Sequence, residues 1–357
     1  MKKKFFMLVT AAAFCILLCG CSVWADGSYI SIQPHEEQNL RPEKDIIEVY
    51  SYIDLQNALV ELVESGSEEA IVSVSRLNQD SMEFYMNAAT NYVKEKNAIG
   101  AYAVDSITYE LGTNAGRAAM ALKISYNRNP TSILRMKRAA DMEKANQIIW
   151  DALDGCEANT VFYVEDFRNS DFTQLVQDYA NDHPDRIMET PLVTYSVYPE
   201  IGVSRVVELN FTYQTSREDL RMMQDLVRPV FIAAEMYVRG SAENAEKFAQ
   251  LYSFLMERYN YTIGTSITPS YHLIRHGVGD SKAFAIVYTA MCREAGLECQ
   301  TVSGTRDGES WYWNMIVVDG VYYHVDLLRC NEMEGFSMNT DSQMEGYVWD
   351  YTAHIKT

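Results

Sequence analysis

With 357 residues, 48% of them hydrophobic and 22% charged, the chain has the length of two or three domains and is too apolar to be wholly disordered or collagen-like. Its formal net charge of −19 argues against nucleic-acid binding, because phosphate contacts need Lys and Arg. Twenty-four Tyr and five Trp supply aromatic mass for several cores.

Lys2, Lys3 and Lys4 form a basic start, and Phe5 to Leu18 is an apolar run too short for a comfortable transmembrane span. The run ends in Leu18-Cys19-Gly20-Cys21, which resembles a bacterial lipobox. That resemblance implies a lipoprotein signal peptide over residues 1–20, cleavage after Gly20 and a diacylglyceryl thioether on Cys21. An ordinary secretory signal cut nearby is the alternative. Removing residues 1–20 takes away three lysines and no acid, so the mature chain carries −22. Its membrane partner would therefore be reached through lipid and not through surface charge. Residues 21–44 show no hydrophobic period and read as a tether. The expected location is extracytoplasmic, on the membrane of a bacterial cell envelope.

Four cysteines remain beyond Cys21: Cys156, Cys292, Cys299 and Cys330. They form no CxxC pair and no Cys/His ligand spacing, and the acids make no calcium-loop pattern. No metal and no cofactor is expected. Two readings stay open for the thiols, a Cys299–Cys330 disulfide or buried free cysteines.

From about Asp45 the pattern becomes regular. Leu55, Leu59, Leu62 and Val63 predict a helix, Ala70 to Val74 a strand, and Phe84 to Val93 a second helix. Tyr102 to Leu111 and Ala118 to Tyr126 predict a hairpin across Gly112–Gly116. The order then recurs. Asp141 to Leu153 and Phe172 to Tyr179 predict helices, and Thr160 to Val164 a strand between them. Leu192 to Tyr198 and Val206 to Tyr213 predict a second hairpin. Val72 and Val161, Val104 and Val193, and Tyr109 and Tyr198 each stand 89 apart, while Tyr126 and Tyr213 stand 87 apart. We read two tandem α-β-α-β-β modules, over residues 45–130 and 131–217. Two unrelated α/β segments of similar order are the alternative. The remainder, 218–357, opens with a long helix from Glu218 to Val238, where Pro229 predicts a kink or break. A further helix starts at Ser241, one residue type short of a capping box, with Phe248, Leu251, Tyr252, Leu255 and Met256 as its apolar stripe.

Several blocks of this last part follow one another in a recognisable order. They are Tyr271–Val278 before a helix at Ala283–Gly296, the strand-like Cys299–Gly304, and Trp313-Asn314 ahead of Val321–Asp326. The closing blocks are Thr340–Met344 and Trp349-Asp350. Together they resemble the bacterial transglutaminase-like domain, a relative of the papain-like cysteine peptidases. The resemblance covers residues 241–357 and implies a transglutaminase-like (papain-like) domain there. With the two tandem modules read from the recurring pattern, the expected fold is α+β, two tandem α-β-α-β-β modules followed by that domain.

That family's chemistry uses a Cys at a helix N-terminus as nucleophile, a His as proton shuttle and an Asp that orients the His. By resemblance the Cys position reads Gly279, the His position Trp311, and the Asp is retained as Asp326. The domain is thus expected to be catalytically degenerate. Ser281 and His324 are the rescue candidates, as a Ser281–His324–Asp326 triad. Asp280 reads as a helix cap. Trp311, Tyr312 and Trp313 read either as an aromatic floor for a ligand or as a plug in a disused cleft.

Three functional readings follow. The first is a lipid-anchored pseudoenzyme that binds or scaffolds a peptide, a protein or a cell-wall component. The second is an active amide hydrolase or transamidase using an unrecognised nucleophile such as Ser281. The third is a structural component of the cell envelope or a spore.

Overall fold

The computed structural model describes residues 46–238, 240 and 243–354. The signal peptide over 1–20, Cys21, the tether over 21–44 and the helix start at Ser241 lie outside the described residues.

The first unit contains β1 (Ile47–Glu48), α1 (Tyr52–Glu64), β2 (Glu69–Ser73), α2 (Met82–Glu95), α3 (Ala98–Ala103), β3 (Val104–Asn114) and β4 (Arg117–Tyr126). A one-turn helix, α4 (Pro130–Leu134), follows it. The second unit contains β5 (Lys137–Asp141), α5 (Met142–Asp154), β6 (Asn159–Asp166), α6 (Phe172–Asp182), β7 (Leu192–Tyr198) and β8 (Arg205–Thr212). Their sheets have the orders β1-β2-β4-β3 and β5-β6-β8-β7. In each sheet the leading strand is parallel to the second and the other neighbours are antiparallel. The expected α-β-α-β-β order is therefore present in both units, with an additional edge strand in front of each.

The helices form where caps and apolar spacing agree. Ser51 accepts from the Asp54 amide ahead of α1, whose Leu55, Leu59, Leu62 and Val63 are buried. Asp141 and Asp171 cap α5 and α6 in the same way. The offset depends on the pair compared. Tyr109 pairs with Leu122 and Tyr198 with Val206, which stand 84 apart, but the buried Met120, Leu122 and Ile124 of β4 and Val207, Leu209 and Phe211 of β8 stand 87 apart. Tyr213 lies beyond the end of β8, whereas Tyr126 ends β4. The first hairpin continues five pairs past Tyr109 to a two-residue turn, while the second opens into a loop directly after Tyr198.

The two units touch. Tyr102 of α3 meets Tyr198 edge-on at 5.5 Å, Arg128 reaches Glu208 at 3.0 Å, and Val206 of the second sheet joins the first unit's core. Gly100 permits the tight approach of α3 to α2, because a Cβ there would stand 2.2 Å from the Val93 carbonyl oxygen.

α7 (Arg217–Val238) runs unbroken through Pro229. Pro229 lies on the exposed side, and Leu220, Val227, Phe231, Ala234 and Val238 bury the opposite side of the helix before and after it. The rest comprises α8 (Asn244–Met256), β9 (Asn260–Tyr261), α9 (Pro269–His276), β10 (Val278–Gly279), α10 (Ser281–Glu294), β11 (Cys299–Arg306), β12 (Glu309–Val318), β13 (Val321–Val325), α11 (Leu327–Glu332), β14 (Tyr347–Trp349) and α12 (Tyr351–His354). β9 and β10 pair in parallel, and the order β13-β12-β11-β14 makes an antiparallel sheet. Every residue of α10 from Ala283 to Cys292 is buried. Such an all-apolar helix can only sit at the centre of a domain, and here α7, α8 and the sheet surround it.

Candidate functional site

α10 starts at Ser281. The Asp280 carboxylate caps it by accepting from the Ala283 amide at 2.9 Å, as its position in the sequence predicts. Ser281 is the first helical residue and is buried. Its hydroxyl oxygen accepts from the backbone N–H of Tyr312 at 3.3 Å, which turns it towards β12. Gly279 does not lie on this helix. It belongs to β10 and pairs with Tyr261. A Cβ at 279 would point into the packing between α9 and α10, 2.8 Å from the Ala283 Cβ and 3.0 Å from the Leu273 Cδ1. Gly279, which holds the Cys position by resemblance, thus ends β10 just ahead of the helix, and the side chain at the helix start that faces β12 is that of Ser281.

Trp311 stands on β12, half-buried. Its indole N–H donates to Asp326 Oδ2 at 2.9 Å. The Arg306 guanidinium lies over the indole at 5.2 Å, and the Tyr261 ring is 5.9 Å away.

Asp326 is buried and caps α11. Its Oδ1 accepts from the amides of Leu328 and Arg329 at 3.0 and 3.2 Å. Its Oδ2 accepts from Trp311 and, at 2.6 Å, from the Tyr347 hydroxyl, with Arg306 Nη1 at 3.5 Å. Burial, and then the Asp326 charge, push the Tyr347 phenol well up from its ordinary value. Neutral Tyr347 is the form that can donate here.

His324 is turned away from this arrangement. Its Nδ1 accepts from the Trp313 indole N–H at 2.9 Å, and its Nε2 lies 3.0 Å from Asp341 Oδ1. The Trp313 bond assigns the ring proton to Nε2, which donates to Asp341. Both ring nitrogens are engaged, Nδ1 by Trp313 and Nε2 by Asp341. The Ser281–His324–Asp326 triad is not assembled.

The three aromatics do not form one floor. Strand alternation puts Trp311 and Trp313 on one face of β12 and Tyr312 on the other, and Trp311 packs against the cluster that holds Trp313. Trp313 is buried in a core with Val302, Met315, Met344 and Tyr347, and no ligand reaches it. Trp311 and Tyr312 stay half-buried. The Lys282 ammonium sits 5.7 Å over the Tyr312 ring. Burial lowers the Lys282 ammonium and raises the Tyr312 phenol, so both are driven towards their neutral forms.

Cys156, Cys292, Cys299 and Cys330 are all free thiols, so Cys299 and Cys330 do not pair. The Cys330 sulfur is used by Ser337, and Cys299 lies against Thr289 and Asn314. Burial raises Cys156, Cys292 and Cys330, which keeps them as unreactive thiols. Sequence reasoning missed Arg306 and Tyr347. Tyr347 lies between the two blocks that close the domain. No local pattern marks Arg306.

The chemistry available follows from these contacts. The indole at 311 offers an N–H donor and no ring nitrogen that can accept a proton. Among the described residues the partner of the Ser281 hydroxyl oxygen is the Tyr312 amide. The Asp326 carboxylate is consumed by donors.

Residues 232–327 match the family model of the Transglutaminase-like superfamily. Among solved structures the chain is similar to a TGase at 10% identity, with a TM-score of 0.26, over 54% of this chain and 59% of that one. It is similar to a candidate cysteine protease from Cytophaga hutchinsonii at 11% identity and TM-score 0.27, over 44% of this chain and 70% of the other. A candidate protease from Parabacteroides distasonis gives 9% identity and TM-score 0.24, over 60% and 48%. The chain thus spans well under two thirds of the length of the first of these. No curated protein matches it.

Proposed function

Given a transglutaminase-like domain at residues 232–327, we propose that this domain binds or scaffolds a peptide, a protein or a wall component without amide chemistry. The carrying observation is the Trp311–Asp326 hydrogen bond. An indole makes the contact that an imidazole would make to the orienting carboxylate, and it leaves a nucleophile without a base. The full chain is expected to be inert in amine incorporation into glutamine peptides and in amide hydrolysis. Turnover that disappears in Ser281→Ala would replace this reading with a serine mechanism. The observation favouring that second reading is the position of Ser281 at the first turn of a buried helix.

The setting we propose is the outer side of a bacterial membrane, with lipid on Cys21 as the anchor. The support is the order Lys2–Lys4, apolar run, Leu18-Cys19-Gly20-Cys21. Labelled palmitate fed to cells making the full chain is expected to enter the protein, and Cys21→Ser to lose the label and leave the membrane fraction. Retention of label in Cys21→Ser would overturn the anchor.

A further inference from the structure

α7 carries two apolar stripes. Leu220, Val227, Phe231, Ala234 and Val238 are buried in one continuous core with α10. Met222, Leu226, Pro229, Ala233 and Met236 form the other stripe, and all five are exposed. Met222, Leu226 and Met236 are 49%, 41% and 60% exposed. At about 100° per residue the centres of the two stripes lie roughly 150° apart. A helix packed on one core needs one stripe, so the second asks for a second partner.

The exposed stripe has its own period. Its members follow one another at steps of four, three, four and three residues, and none of them is charged. That is a heptad seam, the spacing at which two helices stay in contact by coiling round one another.

The seam also complements itself. α7 runs from Arg217 to Val238, so a two-fold axis between Val227 and Arg228 aligns an antiparallel copy end to end. In that register Leu226 stands opposite Pro229 of the second copy, and Met222 opposite its Ala233. Each layer sets a larger residue against a smaller one, as interdigitation requires. The same residues serve twice, which is the property of an isologous contact. A parallel copy would set Met222 against Met222 and Ala233 against Ala233, one layer crowded and the next hollow. It would also lay the two helix dipoles side by side in the same direction. Ile232 and Tyr237 flank the seam and are exposed too. With them each copy can bury on the order of 500–600 Å², which puts the pair at the lower edge of specific interfaces, near ~1,200 Å² in total.

We propose that two copies of this chain form a two-fold dimer by packing α7 against α7, antiparallel, along Met222, Leu226, Pro229, Ala233 and Met236. The contact is apolar, whereas the chain carries −19 and two copies repel at long range. Salt screens that repulsion and leaves the seam in place. The dimer is therefore expected to tighten as salt rises, the reverse of a charge-driven contact.

The test is sedimentation equilibrium of the full chain over the micromolar range, at low and high salt, joined to disulfide trapping. A monomer–dimer equilibrium is expected. Leu226→Glu is expected to weaken it about a hundredfold or more, because the substitution enters a two-fold contact twice. Its Tm should hold, since the side chain is exposed in the monomer. Under mild oxidation a mixture of the Met222→Cys and Ala233→Cys variants is expected to cross-link, and each variant alone far less. Self-cross-linking of Ala233→Cys to the same extent as the mixture would overturn the antiparallel register. A monomer at every concentration, or a dimer that Leu226→Glu leaves intact, would overturn the contact. A monomer that binds phosphatidylcholine vesicles, with Leu226→Glu abolishing the binding, would give the stripe to a bilayer and overturn the dimer as well.

Discussion

Asp326→Ala is expected to lower the unfolding free energy by about 3–5 kcal/mol, the range for removing one partner of a buried charge cluster. Asp326 is 2% exposed and accepts from four donors, besides facing Arg306. Losing it leaves the amides of Leu328 and Arg329 uncapped, at about 1 kcal/mol for an N-cap. It also strands the Trp311 N–H and the Tyr347 O–H, each costing about 1–3 kcal/mol where water cannot replace the acceptor. Arg306, only 21% exposed, keeps its Glu332 partner at 2.8 Å, which limits the damage on that side. Guanidinium titrations followed by tryptophan fluorescence would measure the change as a shift in midpoint at constant slope. Asp341→Ala is the comparison, because its carboxylate is 66% exposed and accepts from His324 alone among the bonds described for it. Equal losses for the two variants would mean that Asp326 does not organise this end of the domain.

The second large effect is a gain. Ser281→Cys combined with Trp311→His is expected to create a thiol alkylated by iodoacetamide at pH 6 about tenfold or more faster than the thiol of Ser281→Cys alone. The physical reason is a helix N-terminus plus an imidazole, which together lower a cysteine pKa far below its usual value near 8.5. The imidazole would inherit the Asp326 contact that the indole makes at 2.9 Å. Burial raises Cys156, Cys292 and Cys330, and the half-buried Cys299 is controlled for by comparing the two variants in the same background. Gly279→Cys with Trp311→His is the informative failure: its Cβ meets Ala283 and Leu273, so that protein should be destabilised and gain no reactive thiol in the cleft. If the Ser281→Cys thiol ignores the histidine, residue 311 is not the base position.

Much of the fold was legible because periodicity is a local property. The stripes of α1, α5 and α8 and the alternation of β4 and β8 can be counted along the chain. β1 is two residues long and has no period to count, and α3 reads Ala-Ile-Gly-Ala-Tyr-Ala, apolar on every side. Both are held by neighbours distant in sequence. Pro229 carried a strong local signal that tertiary burial on the opposite face overrode.

At the candidate site, Trp311 and Asp326 were legible through the family resemblance. The resemblance implies a nucleophile position at a helix start, whereas Gly279 lies on β10, two residues before the helix. Asp280 reads as a cap, and a cap makes the following residue, Ser281, the first of the helix. Strand alternation, applied to the three adjacent aromatics, separates Tyr312 from the other two. The burial of Trp313 comes from Met344 and Tyr347, which are distant in the chain. Arg306 and Tyr347 reach Asp326 from across the sheet, and nothing local in the chain encodes such a meeting.

α7 has a consequence for how the molecule melts. Its first half packs Leu220 and Val227 in one continuous core with Cys156 and Met188 of the second unit, and its second half carries Phe231, Ala234 and Val238 into the domain around α10. Gln224 adds bonds to the carbonyls of Asp154 and Arg186. The family match begins at 232, in the middle of this helix. A fragment excised at that point would lose half of the helix and bare an apolar seam, and heating the intact protein should bring both parts down in one cooperative transition. The border drawn by ancestry and the border drawn by cooperativity fall at different residues.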